Sequence, residues 1–307
     1  MDKEQYVKDL SNAISAAGYN DYYLAKCLRY ARRLLDNNLP VIFDTKHLAL
    51  LIGIDVTELT KMVFSEERYY TKTRIPKKSG DYRELDIPSA ELKYIQRWIL
   101  DNILNKIRVS EFATGFCSKK SILNNAKIHI NQKCIVNMDI KDFFPSISFE
   151  KTYRIFAYYG YTNEVSFILA KLCTFNGRLP QGSPASPYIS NIACLKLDAR
   201  LSALAVKYEA KYSRYADDIT FSSKNDIKSI INIAIISDEQ YNVNGNKTRI
   251  AYPHQRQEVT GLLVNGDKIR VSKKYKKDLY QELYYCKKFG VQSHLKKIGC
   301  NKAFYKE

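Results

Sequence analysis

This sequence lacks the marks of a disulfide or zinc framework. Its seven cysteines, at 27, 117, 134, 173, 194, 286 and 300, are scattered, odd in number and contain no C-x-x-C pair. Reduced thiols in a cytoplasmic protein fit that pattern better than a disulfide scaffold or a zinc site. No apolar run approaches the ~18–20 residues that a membrane span needs. The longest, such as Ile230–Ile236, are core-sized. Met1–Leu10 is charged throughout, so no signal peptide is expected. Internal repeats, low-complexity tracts and an obvious flexible linker are missing too. Acidic residues are in short supply: 32 Asp and Glu face 49 Lys and Arg, a formal charge of +17.

A balance that basic favours polyanionic partners, nucleic acid first and a membrane surface second. The excess is uneven. Residues 1–40 hold six basic and five acidic side chains, whereas residues 268–307 hold twelve and three. The C-terminal end is therefore the expected electrostatic grip. The 307 residues suffice for roughly two domains and a sizeable core.

Residues 1–66 show helical spacing near 3–17, 20–37 and 45–63. The third stretch, HLALLIGIDVTELTKMV, has a helix–turn–helix look about Gly53, but no basic cluster follows, and helix packing is the simpler reading. Two strand-like pieces flank a turn at 77–81, and 89–108 reads as a helix capped by Ser89. Residues 134–140 (CIVNMDI) read as a buried strand. Helical patterns follow at 148–159 and 162–173, then a long one to about Lys207, opened by Ser186 as cap and Pro187 in its first turn. A strand pair at 211–223, a helix at 225–240, a hairpin turning at Asn265-Gly266 and a basic helical tail complete the chain. Strands and helices mix without βαβ alternation, which points to an α+β fold.

The segment YSRYADDITFSS, residues 212–223, sets Asp217 beside Asp218 inside a strand-like alternation. Neighbours on a strand point to opposite faces, so the pair can serve one site only at a turn. A tight hairpin presenting one or both carboxylates follows. Asp139 ends the strand CIVNMDI and converges with them if the strands lie side by side. Concentrated carboxylates call for a compensating cation. An oxygen-only donor set suits Mg²⁺, and two such ions ~4 Å apart suit in-line displacement at phosphorus. Asp217 is the stronger second ligand, because alternation counts against Asp218.

The ordered segments IPKKSGDYRELDIP, NMDIKDFFPSI, LPQGSPASPYISN, YADD, VNGNKT and VTGLLV, spanning about residues 69–264, resemble a reverse transcriptase. NAKIH at Asn125–His129 and VTG at Val259–Gly261 resemble bacterial retron enzymes. The chain also stops soon after its short basic tail, with no room expected for an endonuclease or RNase H domain.

The resemblance implies a right-hand polymerase with a helical extension over 1–66. Fingers would comprise 67–88, 109–135 and 148–180, palm 89–108, 136–147 and 181–264, and a basic helical thumb 265–307. Asp139, Asp217 and Asp218 would hold two Mg²⁺ ions, joined by the Ile140 backbone, and the amides of Ile140–Phe143 would hold phosphates. Lys247 would protonate the leaving pyrophosphate. The nucleotide would meet Lys77, Lys78, Arg83, Asp142, Phe143, Gln181 and Gly182, with Phe144 beneath the sugar disfavouring a 2′-hydroxyl. RNA would meet Val259, Thr260, Gly261 and the tail residues Lys273, Lys274, Tyr275, Lys276 and Lys277. Asn125 and His129 would either contact RNA or buttress the fingers. The implied activity copies the protein's own structured noncoding RNA into a branched single-stranded DNA, primed from an internal guanosine 2′-hydroxyl, in anti-phage defence beside a co-encoded effector protein. A stand-alone or group II intron-type enzyme using a 3′-hydroxyl primer, and a nonenzymatic RNA-binding scaffold, are the alternatives.

Overall fold

The structure, a computed structural model, describes residues 2–76, 80, 82–231 and 241–298. Lys77 and Lys78 of the expected fingertip, and most of the helix expected at 225–240, lie outside them.

Short side chains that can accept a backbone N–H open the N-terminal helices. Asp2 caps α1 (Lys3–Ala16), Asn20 caps α2 (Asp21–Asp36), Asp44 caps α3 (Thr45–Ile52) and Asp55 caps α4 (Val56–Phe64). Gly53 ends α3 in the left-handed region, at φ 82°, which costs glycine nothing. The inward stripe of α3 and α4, Leu48, Ala49, Ile52, Leu59, Met62 and Val63, is buried in the main core. The helix–turn–helix look is thus ordinary helix packing.

Next come β1 (Tyr70–Pro76) and β2 (Tyr82–Pro88), an antiparallel hairpin, and α5 (Ala90–Asn102), capped by Ser89. After α6 (Ile122–Ile128) the chain enters β3 (Cys134–Asp139), a central strand buried on both faces except at Asn137. Helices α7 (Phe149–Tyr158) and α8 (Asn163–Cys173) follow. The single long helix expected before Lys207 is two, α9 (Ser186–Ala193) and α10 (Leu195–Lys207), broken at Cys194. Ala185 holds the α9 cap position without a side-chain bond, and Ser186 is the first helical residue rather than the cap.

Strands β4 (Lys211–Tyr215), β5 (Asp218–Ser223) and β6 (Arg249–Ala251) join β3 in an antiparallel sheet of order β4-β5-β3-β6. The mixed, antiparallel arrangement is α+β. Register gives the sheet two chemically different faces. Tyr212, Arg214, Ile219, Phe221, Val136 and Met138 share one. Ser213, Thr220, Ser222, Asn137, Asp139 and Asp218 share the other.

The polar face carries a second hairpin, β7 (Glu258–Val259) with β8 (Leu262–Leu263). Its two turn residues, Thr260 and Gly261, have φ of 45° and 82°, as a tight primed turn requires. Sequence placed the hairpin turn later, at Asn265-Gly266. There the structure has only an isolated bridge, Leu263 to Arg270. The Asn265 side chain instead accepts from Gln257 N and donates to the carbonyls of Pro253 and Gln255. Val259 and Val264 pack with Ala126 and Ile135 in a small second core. The helix Lys273–Phe289, capped by Ser272, contains no buried residue, and Val291–Lys297 follows it.

Candidate active site

Asp139 and Asp218 are direct partners across the β3–β5 ladder. Directly opposed residues on one face have Cβ atoms about 4.5–5.5 Å apart, and like charges there repel. Asp218, the carboxylate ranked lower from alternation, is therefore the residue facing Asp139. Asp217 enters from the two-residue turn joining β4 to β5, and its carbonyl accepts from Ile140 N at 3.0 Å. Desolvation raises the Asp217 carboxyl above its ordinary pKa, the Asp139 charge adds to this, and Lys247 and Arg83 oppose it. Desolvation, with the charges of Asp217 and Asp139, pushes Asp218 up to about 6. Arg83, on the exposed part of β2, is close enough for its charge to act on Asp217.

Lys247 stands in a 3₁₀ turn, Gly245–Lys247, and its Nζ lies 3.0 and 2.8 Å from the two oxygens of Asp139. That ion pair raises the ammonium's pKa. Three carboxylates crowd together here with oxygen donors only, and an ammonium already partly compensates the charge of one of them. The crowded oxygen donors suit a hard divalent ion, which would have to displace the ammonium from Asp139. Among the described residues, no three His, Cys, Asp or Glu side chains are arranged to hold a metal by themselves. Mg²⁺ sites that draw on water and substrate phosphates do not require three.

The turn that carries Asp217 is strained. Ala216 has φ 56°, a left-handed conformation that costs a residue with a side chain roughly 1–2 kcal/mol. Arg214 holds it there. Its Nη1 donates to the Ala216 carbonyl at 3.0 Å and to Asn191 Oδ1 at 3.2 Å. Its Nε and Nη2 make 2.7 and 2.8 Å bonds to the two Asp198 oxygens, and both residues are fully buried. Tyr212 Oη donates to the same carboxylate at 2.7 Å. Gly115 presses on the turn from the other side: a Cβ there would sit 2.6 Å from Ala216 N. Sequence reasoning missed Arg214, Asp198, Asn191 and Gly115. A usable signal was present, since Arg214 falls on the same strand face as Tyr212, where a lone charge demands a buried partner.

The remaining candidates fall in several places. Two of the four amides expected to hold phosphate are already engaged: Ile140 N with Asp217 O, and Lys141 N with Asn242 O at 2.8 Å. Phe143 is buried, Phe144 is half-buried and touches it, and Asp142 is exposed at φ 48°. Gly182 has φ 143°, and a Cβ there would meet the Asp86 carbonyl at 2.6 Å. Gln181 O accepts from Asp86 N at 3.0 Å, so this loop docks on β2. The close approach that Gly182 permits is to protein backbone.

Asn125 and His129 are corrections to the RNA-binding assignment. Both are buried, at 1% and 0% exposure. His129 bridges Ser222 Oγ (2.6 Å) and Ser213 Oγ (2.7 Å). Asn125 Oδ1 accepts from Thr114 and Ser213, and its Nδ2 reaches Thr260 Oγ1 at 3.5 Å. They fasten α6 to the sheet and to the Val259–Gly261 turn. Val259 is itself buried, whereas Gly261 is exposed. Lys273, Lys274, Tyr275, Lys276 and Lys277 are all exposed on the first turns of their helix.

Residues 75–276 match the reverse transcriptase (RNA-dependent DNA polymerase) family. The retron Ec86 reverse transcriptase of Escherichia coli is 34% identical over 273 residues, covering 86% of this chain and 85% of that protein. The chain belongs to the bacterial retron reverse transcriptases. The retron Mx162 reverse transcriptase of Myxococcus xanthus is 35% identical over 266 residues, covering 75% of this chain and 55% of that one. A solved telomerase from Candida albicans, in complex with a fragment of telomeric RNA, aligns at a TM-score of 0.48 and 12% identity, covering 75% of this chain and 54% of that one. This reverse transcriptase is thus an RNA-directed DNA polymerase with an RNA template as partner, and its fold is the right-hand polymerase of that family. None of its described helices is long and apolar enough to cross a membrane.

Proposed function

We propose that this reverse transcriptase copies part of its own structured noncoding RNA into branched single-stranded DNA. Synthesis begins at an internal guanosine 2′-hydroxyl, and the product serves anti-phage defence with a co-encoded effector. The observation that carries the catalytic part is the Asp139–Asp218 pair across the ladder, with Asp217 in the adjoining turn and Lys247 on Asp139. Similarity to several retron enzymes supports the retron part.

In this reading Asp139, Asp217 and Asp218 hold two Mg²⁺ ions, with the Ile140 backbone nearby. Bound there, the ions would lower the pKa of the primer hydroxyl and neutralise charge developing on the triphosphate. Arg83 orients the phosphates from β2, with a fork that suits phosphate oxygens. Phe144 lies under the sugar and excludes a 2′-hydroxyl on the incoming nucleotide. Lys247 leaves Asp139 when the site fills and gives its proton to the departing pyrophosphate. The β1–β2 hairpin acts as fingertip, the four-stranded sheet as palm, and the exposed basic helix from Lys273 as thumb, gripping phosphates.

The test is to incubate the protein with its cognate RNA, dNTPs and Mg²⁺. The expected product is DNA that a 2′,5′-debranching enzyme frees from RNA, abolished by Asp217→Asn. DNA that debranching leaves unaltered would place priming on a 3′-hydroxyl. Absence of any DNA would remove the catalytic roles given to these residues.

A further inference from the structure

Phe144 touches two other rings. Phe143 is its chain neighbour and is buried, with centroids 5.5 Å apart at 55°. Phe116 comes from the loop before α6, with centroids 6.0 Å apart at 45°, and remains 43% exposed. Both pairs fall within aromatic contact range.

Two features separate Phe116 from a ring that merely fills space. Its backbone is left-handed, at φ 59°, a conformation that a residue with a side chain holds only when its surroundings impose it. Those surroundings are the catalytic turn. Gly115, immediately before it, lies so close to Ala216 that a Cβ would stand 2.6 Å from that nitrogen. The Gly115 carbonyl accepts from Asn191 Nδ2 at 2.9 Å, and Asn191 in turn accepts from Arg214. The backbone that carries this exposed ring is therefore held against the turn that carries Asp217, and the ring itself is set against Phe144.

We propose that Phe116 is a positioning residue for sugar discrimination. It acts through Phe144, and the inference rests on the reading of Phe144 as the ring beneath the nucleotide sugar. A gate excludes an oxygen only while its alternative rotamers are closed off. Phe143 supports Phe144 from the core, and Phe116 supports it from the accessible side chain of the loop. Removing the Phe116 ring frees Phe144 to move, and a 2′-hydroxyl then finds space.

The test measures kcat/KM for dGTP and for GTP on a 3′-primed RNA template with Mg²⁺. Phe116→Ala is expected to lower the dGTP-over-GTP preference by roughly three- to tenfold, the weight of one aromatic contact. The change should appear in KM for GTP, with kcat for dGTP held within about twofold. Phe116→Leu should restore part of the preference. Phe116 is exposed, so the variant should fold, and an unchanged thermal midpoint would show it. If Phe144→Ala collapses the preference while Phe116→Ala leaves it unmoved, the proposal is overturned and the gate stands. If Phe144→Ala leaves the preference intact, the gate reading fails and takes this inference with it.

Discussion

Lys247 Nζ bridges both carboxylate oxygens of Asp139, the last residue of β3. The ammonium therefore competes with any metal for that carboxylate. Lys247→Gln is expected to lower the Mg²⁺ concentration needed for half-maximal primer extension. It should also lower maximal kcat by about 10²-fold, if the lysine is the proton donor. Mg²⁺ titrations of both proteins in a single-nucleotide extension assay read both effects. An unchanged Mg²⁺ requirement would show that the ion pair is incidental.

Asp218→Asn keeps the size of the side chain and removes one of the crowded charges. Like charges opposed across a ladder destabilise it. Extension activity should fall by about 10³-fold or more, while the metal-free thermal midpoint stays level or rises. A fall in both would mark Asp218 as structural.

The buried Arg214–Asp198 pair gives the opposite signature. Arg214→Met leaves Asp198 buried without its partner, a loss on the order of 3–5 kcal/mol in urea unfolding. Arg214→Met with Asp198→Leu should recover most of that stability. Activity should not return with it, because the Ala216 carbonyl still lacks its donor. Recovery of both together would reduce the arginine to a packing role.

Gly115→Ala tests the other side of the turn. The new methyl meets Ala216 N, a backbone atom that yields only by moving the turn. A displacement near 1 Å at reacting groups costs about 10²-fold in rate. Single-turnover extension should show that loss with RNA affinity unchanged, as measured by filter binding.

Burial, with the Lys211 charge adding to it, lowers the His129 pKa to about 3 from an ordinary 6.5. The folded state then binds fewer protons than the unfolded chain between those values. Its stabilising contribution is complete above pH 6.5 and declines as pH falls toward 3, by up to about 1.4 kcal/mol per pH unit. Urea unfolding from pH 7 to pH 5 should show this slope, and His129→Gln should flatten it. Equal slopes in both proteins would locate the sensitivity elsewhere.

Much of the site could be read before any coordinates, for local reasons. Asp139 ends an apolar strand and Asp217-Asp218 interrupts an alternation, so their placement follows from period and turn chemistry. What could not be read depended on tertiary approach. Asn125 and His129, four apart, share a helix face, but spacing does not say whether that face looks inward. The sequence assigns Gly115 no role and sets Gly182 against the nucleotide, and only the folded chain shows which backbone each one admits. Arg214 shares a strand face with Tyr212 and so hints at burial, but nothing local names Asp198 as its partner until the sheet closes over both. The break between α9 and α10 left no proline or glycine at Cys194 to announce it.

The helix Lys273–Phe289 buries none of its side chains. Substitutions along it leave the interior untouched, unlike those near Ala216, where a single methyl collides with backbone. The reaction centre and the outer basic arm are consequently free to diverge at different tempos. Under the thumb role proposed above, exchange of that arm between relatives is expected to redirect template choice while the chemistry stays put.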